Sequence, residues 1–163
     1  MSATTLKVAP LTPEAFAPFG DVLRPGQGTT RIINGGRCHR HHDLATLDLD
    51  PDGRAGISVF VSEPVSLPYT CAMLERHPLG SQAFLPTTQA PYLVIVAEDD
   101  GGRPFRPRAF LTEPGDGVNY RRGTWHGVLT PLDAPQTFHV VDWIGEAANL
   151  EEAELSPPLL VTG

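Results

Sequence analysis

The chain has 163 residues, a length that suits one domain with a substantial hydrophobic core. Its formal net charge of -7 argues against a nucleic-acid partner and against binding to an anionic membrane surface. The sequence has neither a charged-then-apolar leader nor an apolar run long enough to span a bilayer, so we expect a soluble, cytoplasmic protein.

The first part of the chain predicts short strands around one short helix. Residues 6–11 have the pattern of a strand or an extended arm. Thr12 is placed to cap a helix, and Pro13 and Glu14 suit its first turn. Pro18 and Gly20 are expected to end that helix within about two turns, and a short strand over residues 21–23 follows.

A histidine-rich run follows a turn signal at residues 34–36. Three histidines close together suggest a metal site. Strand alternation would send His39 and His41 to one face and His42 to the other, so solvated side chains are the better interpretation. We make a separate prediction that Arg40 or His42 lines a pocket.

The two cysteines, Cys38 and Cys71, are far apart in the chain and do not form a CxxC pair. This spacing indicates neither a zinc knuckle nor a redox pair. We therefore expect two unpaired thiols in a reducing compartment.

The rest of the chain alternates between short apolar runs and turn signals. The predicted strands cover residues 56–61, 69–77, 81–85, 92–97, 109–112 and 138–143. Residues 92–97 are the most apolar run and predict a central strand. Residues 150–155 predict at most a short acidic helix that ends before Pro157 and Pro158. The pattern favours one all-β domain over residues 1–163, an antiparallel sandwich or barrel with one or two short helices.

Two polar clusters carry the argument for a functional site. The first is ERHPLGSQAFLP, which begins at Glu75, and the second is GVNYRRGTWH, which ends at His126. Because side chains alternate along a strand, Glu75 and His77 should share one face while Arg76 takes the other. We predict that the two clusters lie on neighbouring strands and that His77 and His126 face each other across a concave apolar pocket.

These clusters, together with Ile33-Asn34, Arg40 and His42-Asp43-Leu44, resemble the ureidoglycolate lyase family, enzymes of allantoin and purine breakdown formerly called ureidoglycolate hydrolases. The resemblance runs from residue 10 to about residue 142. It implies a cupin-like double-stranded β-helix, a small-molecule substrate and a homodimer.

The resemblance leaves the cofactor open. Residues 121–126 line up with the second cupin motif, with Arg121 in place of the usual proline. Only Glu75 and His77 represent the first motif, which normally contains HxH. A divalent metal at His77 and His126 is therefore possible, but the cupin ligand set is incomplete.

Cleavage of ureidoglycolate to glyoxylate and urea requires a base near the hydroxyl group, an acid near the leaving nitrogen and a cationic clamp on the carboxylate. His77 and His126 are the natural base and acid, because imidazoles titrate closest to neutral pH. Glu75 could orient an imidazole or act as the base itself. The sequence does not decide which group takes which role.

Several further side chains are candidates for substrate binding. Arg121, Arg122 or Arg76 could hold the carboxylate, with Arg76 the weakest candidate because it alternates away from His77. Asn119 and Tyr120 could donate hydrogen bonds to the ureido carbonyl, and Arg40 could line the pocket. Other functions also stay open: a ureidoglycolate amidohydrolase that releases ammonia, a metal-dependent cupin enzyme of another class, or a non-catalytic small-molecule-binding barrel.

Overall fold

The computed structural model describes residues 2–163, and most of these residues lie in β-strands. The strands are β1 (Thr4–Lys7), β2 (Ala9–Pro10), β3 (Gly20–Leu23), β4 (Thr29–Ile33), β5 (Cys38–His42), β6 (Arg54–Ser62), β7 (Tyr69–Arg76), β8 (Gln82–Pro86), β9 (Tyr92–Asp100), β10 (Arg103–Leu111), β11 (Gly117–Tyr120), β12 (Trp125–His126), β13 (Thr130–Pro131), β14 (Gln136–Ile144) and β15 (Glu151–Thr162). The helical elements are α1 (Pro13–Phe16) and a 3-10 turn (Asn34–Gly36). Among the described residues, no helix is long and apolar enough to cross a membrane.

The helix α1 begins as the sequence predicts. The hydroxyl oxygen of Thr12 accepts a hydrogen bond from the backbone N–H of Ala15, 3.1 Å away, and Pro13 takes the first helical position. Phe16, at the end of the helix, is buried. The helix therefore anchors the N-terminal segment to the core.

Two sheets form the body of the domain. The order of the first is β1-β15-β7-β12-β9-β10-β2, with β13 also paired to β9, and the order of the second is β3-β11-β8-β14-β6. The first sheet curls so far that β1 and β15 come into contact with β10. This barrel-like, almost all-β arrangement confirms the predicted cupin-like fold. Strands β4 and β5 pair only with each other and form a separate two-stranded ribbon.

Strand β9 lies between two hydrophobic cores, which explains why its sequence is apolar without interruption. Tyr92, Val94 and Val96 belong to the core between the two sheets. Leu93 and Ile95 belong to a second core inside the curl of the first sheet. The predicted central strand is therefore confirmed, and both of its faces are buried.

The predicted helix over residues 150–155 is wrong, because this segment belongs to β15. Glu151 pairs with Arg76 of β7, and Glu154 pairs with Met73. The register of this ladder shifts between Glu154 and Leu159, the interval that contains the two consecutive prolines. Pairing with β7 overrides the local helix preference of the acidic residues.

Candidate active site

The two sequence clusters meet in the space between the sheets. Strand β12 pairs with β7 so that His126 lies opposite Glu75. The imidazole rings of His77 and His126 lie 5.2 Å apart, and Nε2 of His77 is 4.0 Å from Oε1 of Glu75. One potential ligand atom from each of the three side chains lies within 4.8 Å of the other two. Glu75 and His77 thus share a face, as alternation along β7 predicts.

Backbone carbonyls determine which nitrogen of each imidazole carries the proton. Nδ1 of His77 is 2.8 Å from the carbonyl oxygen of Asn149, and Nδ1 of His126 is 2.9 Å from that of Gly127. A carbonyl oxygen only accepts, so both Nδ1 atoms donate and the neutral rings carry a lone pair on Nε2. Both Nε2 atoms are buried without a hydrogen-bond partner. Two free acceptors and a carboxylate therefore converge on one small space.

Burial sets the electrostatics of this cluster. It lowers the pKa of His126 from 6.5 to about 3, an effect that the nearby His77 reinforces and the hydrogen bond to Gly127 opposes. Burial also raises the pKa of Glu75, with His77 acting in the opposite direction. His126 is consequently neutral at pH 7 and a weak base, which differs from the sequence expectation of an imidazole that titrates near neutrality. The raised pKa makes the carboxylate of Glu75 the better proton acceptor.

The same three residues fit a divalent metal ion. Two imidazole nitrogens and one carboxylate are a common ligand set for a transition metal with open positions. Each imidazole is held by a carbonyl on its other nitrogen, an arrangement that typically orients metal-binding histidines. The buried, unpartnered Nε2 atoms are the observation that supports this fit.

A cavity of about 360 Å³ opens onto the cluster, and we call it the inner cavity. Glu75 and His126 line it together with Gln82, and Phe60 and Phe84 are part of its apolar wall. The volume suits a small-molecule ligand.

Sequence reasoning did not select Gln82 or Asn149 as site residues. Nε2 of Gln82 donates to Oδ2 of Asp142 at 3.1 Å, while its Oε1 atom is buried without a partner. Alternation along β8 places Gln82 on the same face as the buried Phe84, a signal that could have identified it. Asn149 holds His77 through its backbone carbonyl and accepts from the N–H of Leu79 through its side chain, at 2.7 Å. Asn149 is a contact across about seventy residues that no local pattern indicates.

Tyr120 packs directly against the cluster. Its ring stacks on His126 with centroids 4.3 Å apart and planes 5° apart. Burial raises the pKa of the Tyr120 hydroxyl, so this group stays protonated over the whole physiological range. Tyr120 covers one face of His126 but is not among the residues that line the inner cavity, so a hydrogen bond from its hydroxyl to the ureido carbonyl stays a prediction.

The next residues of the second cluster do not reach the inner cavity. Asn119 alternates away from Tyr120, and its Nδ2 donates to Oδ2 of Asp21 at 3.3 Å. Arg122 donates from Nε to the carbonyl of Pro78 at 2.7 Å and from a terminal nitrogen to Oδ2 of Asp50 at 3.0 Å. Arg122 therefore braces the loop that follows His77.

Asn119, Arg121 and Arg122 line a different cavity of about 510 Å³ on the outer side of the second sheet. The prediction that they surround the substrate together with the two histidines does not hold within a single chain. The reason is the two-residue period of β11, which sends Asn119 and Tyr120 to opposite faces of the sheet.

The remaining candidate arginines also lie elsewhere. Arg76 lies over the ring of Trp125, 4.4 Å from its centre, and forms ion pairs with Asp99 and Glu151 at 2.8 and 2.6 Å. It points away from His77, as alternation predicts. Arg40 is exposed on the β4–β5 ribbon and does not line the inner cavity. Among residues 2–163, no Lys or Arg side chain lines the inner cavity.

Comparison with known proteins agrees with this geometry. The family described as ureidoglycolate lyase matches residues 3–162. A ureidoglycolate lyase of Rhodobacter capsulatus is 58% identical over 97% of this chain and 98% of its own length. Similar proteins are a ureidoglycolate lyase of a Chelativorans species, 55% identical over 88% of this chain and 87% of its own length, and ureidoglycolate lyase 2 of Rhizobium meliloti, 48% identical over 96% of both. The chain belongs to the ureidoglycolate lyase family.

Proposed function

We propose that this protein is a ureidoglycolate lyase, which cleaves ureidoglycolate to glyoxylate and urea. The observation that carries the proposal is the cluster of Glu75, His77 and His126 beside a small cavity that Glu75 and His126 line. Family membership and the ureidoglycolate lyase relatives support the same substrate.

The reaction moves one proton within the substrate. The carboxylate of Glu75, whose pKa burial raises, accepts the proton of the substrate hydroxyl while the C–O bond becomes a carbonyl and the C–N bond breaks. The electron pair of that bond goes to the leaving nitrogen, which takes the proton back from the Glu75 carboxyl group as urea forms. His126 lies opposite Glu75 in the strand pair, and its free Nε2 atom accepts a hydrogen bond from the substrate.

Other side chains hold these groups in position. The backbone carbonyl of Asn149 fixes the orientation of His77, whose Nε2 lies 4.0 Å from Oε1 of Glu75. The free Oε1 atom of Gln82 accepts a hydrogen bond from the ureido group, and the bond from Gln82 to Asp142 fixes the direction of that amide. This arrangement pre-orients the acceptors before the substrate binds.

A divalent metal ion is compatible with the same three residues. If bound, Glu75, His77 and His126 would hold it, and it would supply Lewis-acid polarisation of a substrate oxygen. Turnover before and after complete chelation separates the two schemes. Full activity in metal-free protein supports proton transfer by the side chains alone, and activity that returns only with metal supports a Lewis acid.

The direct test is incubation of the purified protein with ureidoglycolate and measurement of glyoxylate, urea and ammonia. Formation of urea and glyoxylate in equal amounts supports the lyase, and ammonia in place of urea indicates an amidohydrolase. A rate equal to that of the substrate alone rejects both enzymes and leaves a metal-dependent cupin enzyme of another class or the non-catalytic binding barrel.

The variants His126→Ala and His77→Ala should each lower kcat/KM by about a hundredfold or more. The matched control is His139→Ala, since His139 is exposed on β14 and does not line the inner cavity. The His139→Ala variant should keep its activity. Retained turnover in either of the other two variants would remove that histidine from the mechanism.

We further propose that the enzyme is a cytoplasmic homodimer that acts in purine breakdown. The unpaired edge of β6 supports a dimer: its Ile57, Val59 and Val61 side chains are 79%, 61% and 70% exposed. Sedimentation of the purified protein at micromolar concentration tests this. A monomer would count against the dimer.

A further inference from the structure

The inner cavity lacks a group that its proposed substrate needs. Ureidoglycolate carries a carboxylate, yet the polar residues that line the cavity include the acid Glu75 and, among residues 2–163, no Lys or Arg. A carboxylate next to a second carboxylate without a cation is repelled. The site of a single chain is therefore incomplete for an anionic substrate.

The β4–β5 ribbon carries two arginine side chains that could bind an anion. Arg31 and Arg40 lie directly opposite each other in the ribbon, so both side chains project from the same face. The structure shows no ion pair for either residue among residues 2–163. Like charges that face each other across a strand pair destabilise it, and a bound anion would remove that repulsion.

The ribbon is also largely uncovered by the rest of its own chain. All five residues of β4 are exposed, and Ile32 and Ile33 are 66% and 37% exposed. A two-stranded ribbon alone is at best marginally stable in water, so an additional surface is expected to cover it.

The mouth of the inner cavity offers a matching surface. Val61 and Val128 line the cavity and are 70% and 45% exposed, and the exposed apolar side of β6 continues from them. The ribbon and the rest of the chain also carry opposite formal charge. The segment 29–42 contains three of the chain's 12 Lys and Arg residues and none of its 19 Asp and Glu residues, so the rest of the chain has a formal charge of -10.

We propose that the ribbon of one protomer closes the inner cavity of the other protomer, where Arg40, with Arg31 beside it, binds the substrate carboxylate. Each active site of the dimer then combines Glu75, His77 and His126 of one chain with the arginine pair of its partner. The guanidinium groups supply two-pronged hydrogen bonds to a carboxylate. This inference deepens the proposed function and rests on it.

Single variants test the role of the arginine. Arg40→Ala should lower kcat/KM for ureidoglycolate by about thirtyfold or more, mainly through a higher KM, because carboxylate binding is lost. Arg103→Ala is the matched control, since it removes the same charge from an exposed position on β10, outside both the ribbon and the inner cavity. That variant should change kcat/KM by less than about twofold. Full activity of Arg40→Ala overturns the proposal.

Mixed dimers show which chain supplies the arginine. Two differently tagged chains are co-expressed and the heterodimer is isolated through both tags. When one chain carries Arg40→Ala and the other His126→Ala, one complete site forms, and activity should be about half that of the wild-type dimer. When both substitutions lie in one chain and the other chain is wild type, no site is complete and only one site keeps His126, so activity should be about half that of the Arg40→Ala homodimer.

The opposite ranking of the two heterodimers would mean that Arg40 serves its own chain, and this would overturn the proposal. A fully active wild-type monomer would overturn it too. Both outcomes leave the proposed function intact, since wild-type turnover is measured first. Absence of glyoxylate from the wild-type protein removes the proposed function and this inference together. If chelation abolishes activity while Arg40→Ala leaves KM unchanged, a metal and not the partner's arginine holds the carboxylate.

Discussion

Acid stability offers a test of the buried imidazole at the centre of the site. The pKa of His126 is about 3 in the folded protein and 6.5 in the unfolded chain. Below pH 6.5 the unfolded chain therefore binds a proton that the folded protein refuses, so folding stability falls as the pH drops from 6.5 towards 3. At about 1.4 kcal/mol per pH unit, lowering the pH from 6.5 to about 4.5 reduces the free energy of unfolding by roughly 2 to 3 kcal/mol.

The variant His126→Gln removes this proton and should flatten the pH dependence by that amount. The raised pKa of Glu75 acts in the opposite direction, because the folded protein takes up that proton more readily than the unfolded chain. It is common to the wild type and the variant and largely cancels in the comparison. His139→Gln, at an exposed position, is the control and should keep the wild-type slope.

The assay is urea unfolding with a chelator present, at about pH 7 and about pH 4.5, for the wild type and both variants. The quantity compared is the change in the free energy of unfolding between the two pH values, so a constant cost of the substitution does not matter. Equal changes in the wild type and in His126→Gln would refute the argument that His126 is held neutral by burial.

Three further predictions concern the scaffold, each read from urea unfolding at pH 7. Arg24→Met should cost about 3 kcal/mol, because it leaves the buried carboxylate of Asp116 without the guanidinium that now lies 2.7 Å away, and a loss below about 1 kcal/mol would contradict this. Gly20→Ala should cost about 4 kcal/mol or abolish soluble expression, because a Cβ there would lie 1.8 Å from the carbonyl oxygen of Asn119; near-wild-type stability would show that β3 shifts freely. Phe138→Ala should cost about 3 to 5 kcal/mol, because its fully buried ring fills the core between the sheets, and a loss under about 1 kcal/mol would mean that the core collapses around the gap.

Local sequence patterns predicted the elements whose environment is simple. The unbroken apolar run of β9 indicated a strand buried on both faces, and Thr12 indicated the start of α1. Alternation along β7 correctly separated Arg76 from Glu75 and His77. In each case the pattern depends on neighbours in the chain, which the sequence displays directly.

The same patterns gave wrong or missing predictions where contacts between residues far apart in the chain determine the structure. Glu151 and the acidic residues after it look helical, but the vacant edge of β7 makes them a strand. Gln82 and Asn149 belong to the site through contacts with Asp142 and His77, about sixty and seventy residues away in the chain. No local pattern reports such a distance.

The sequence by itself determined that this chain is an all-β domain with Glu75 and His77 on one strand face, because side-chain period and turn chemistry are local properties. Only the tertiary structure decided that His126 lies opposite Glu75, that burial keeps this imidazole neutral, and that the candidate arginines lie outside the inner cavity. The physical reason is that strand pairing and burial depend on residues far apart in the chain, and the pKa of a group follows its surroundings rather than its neighbours in sequence.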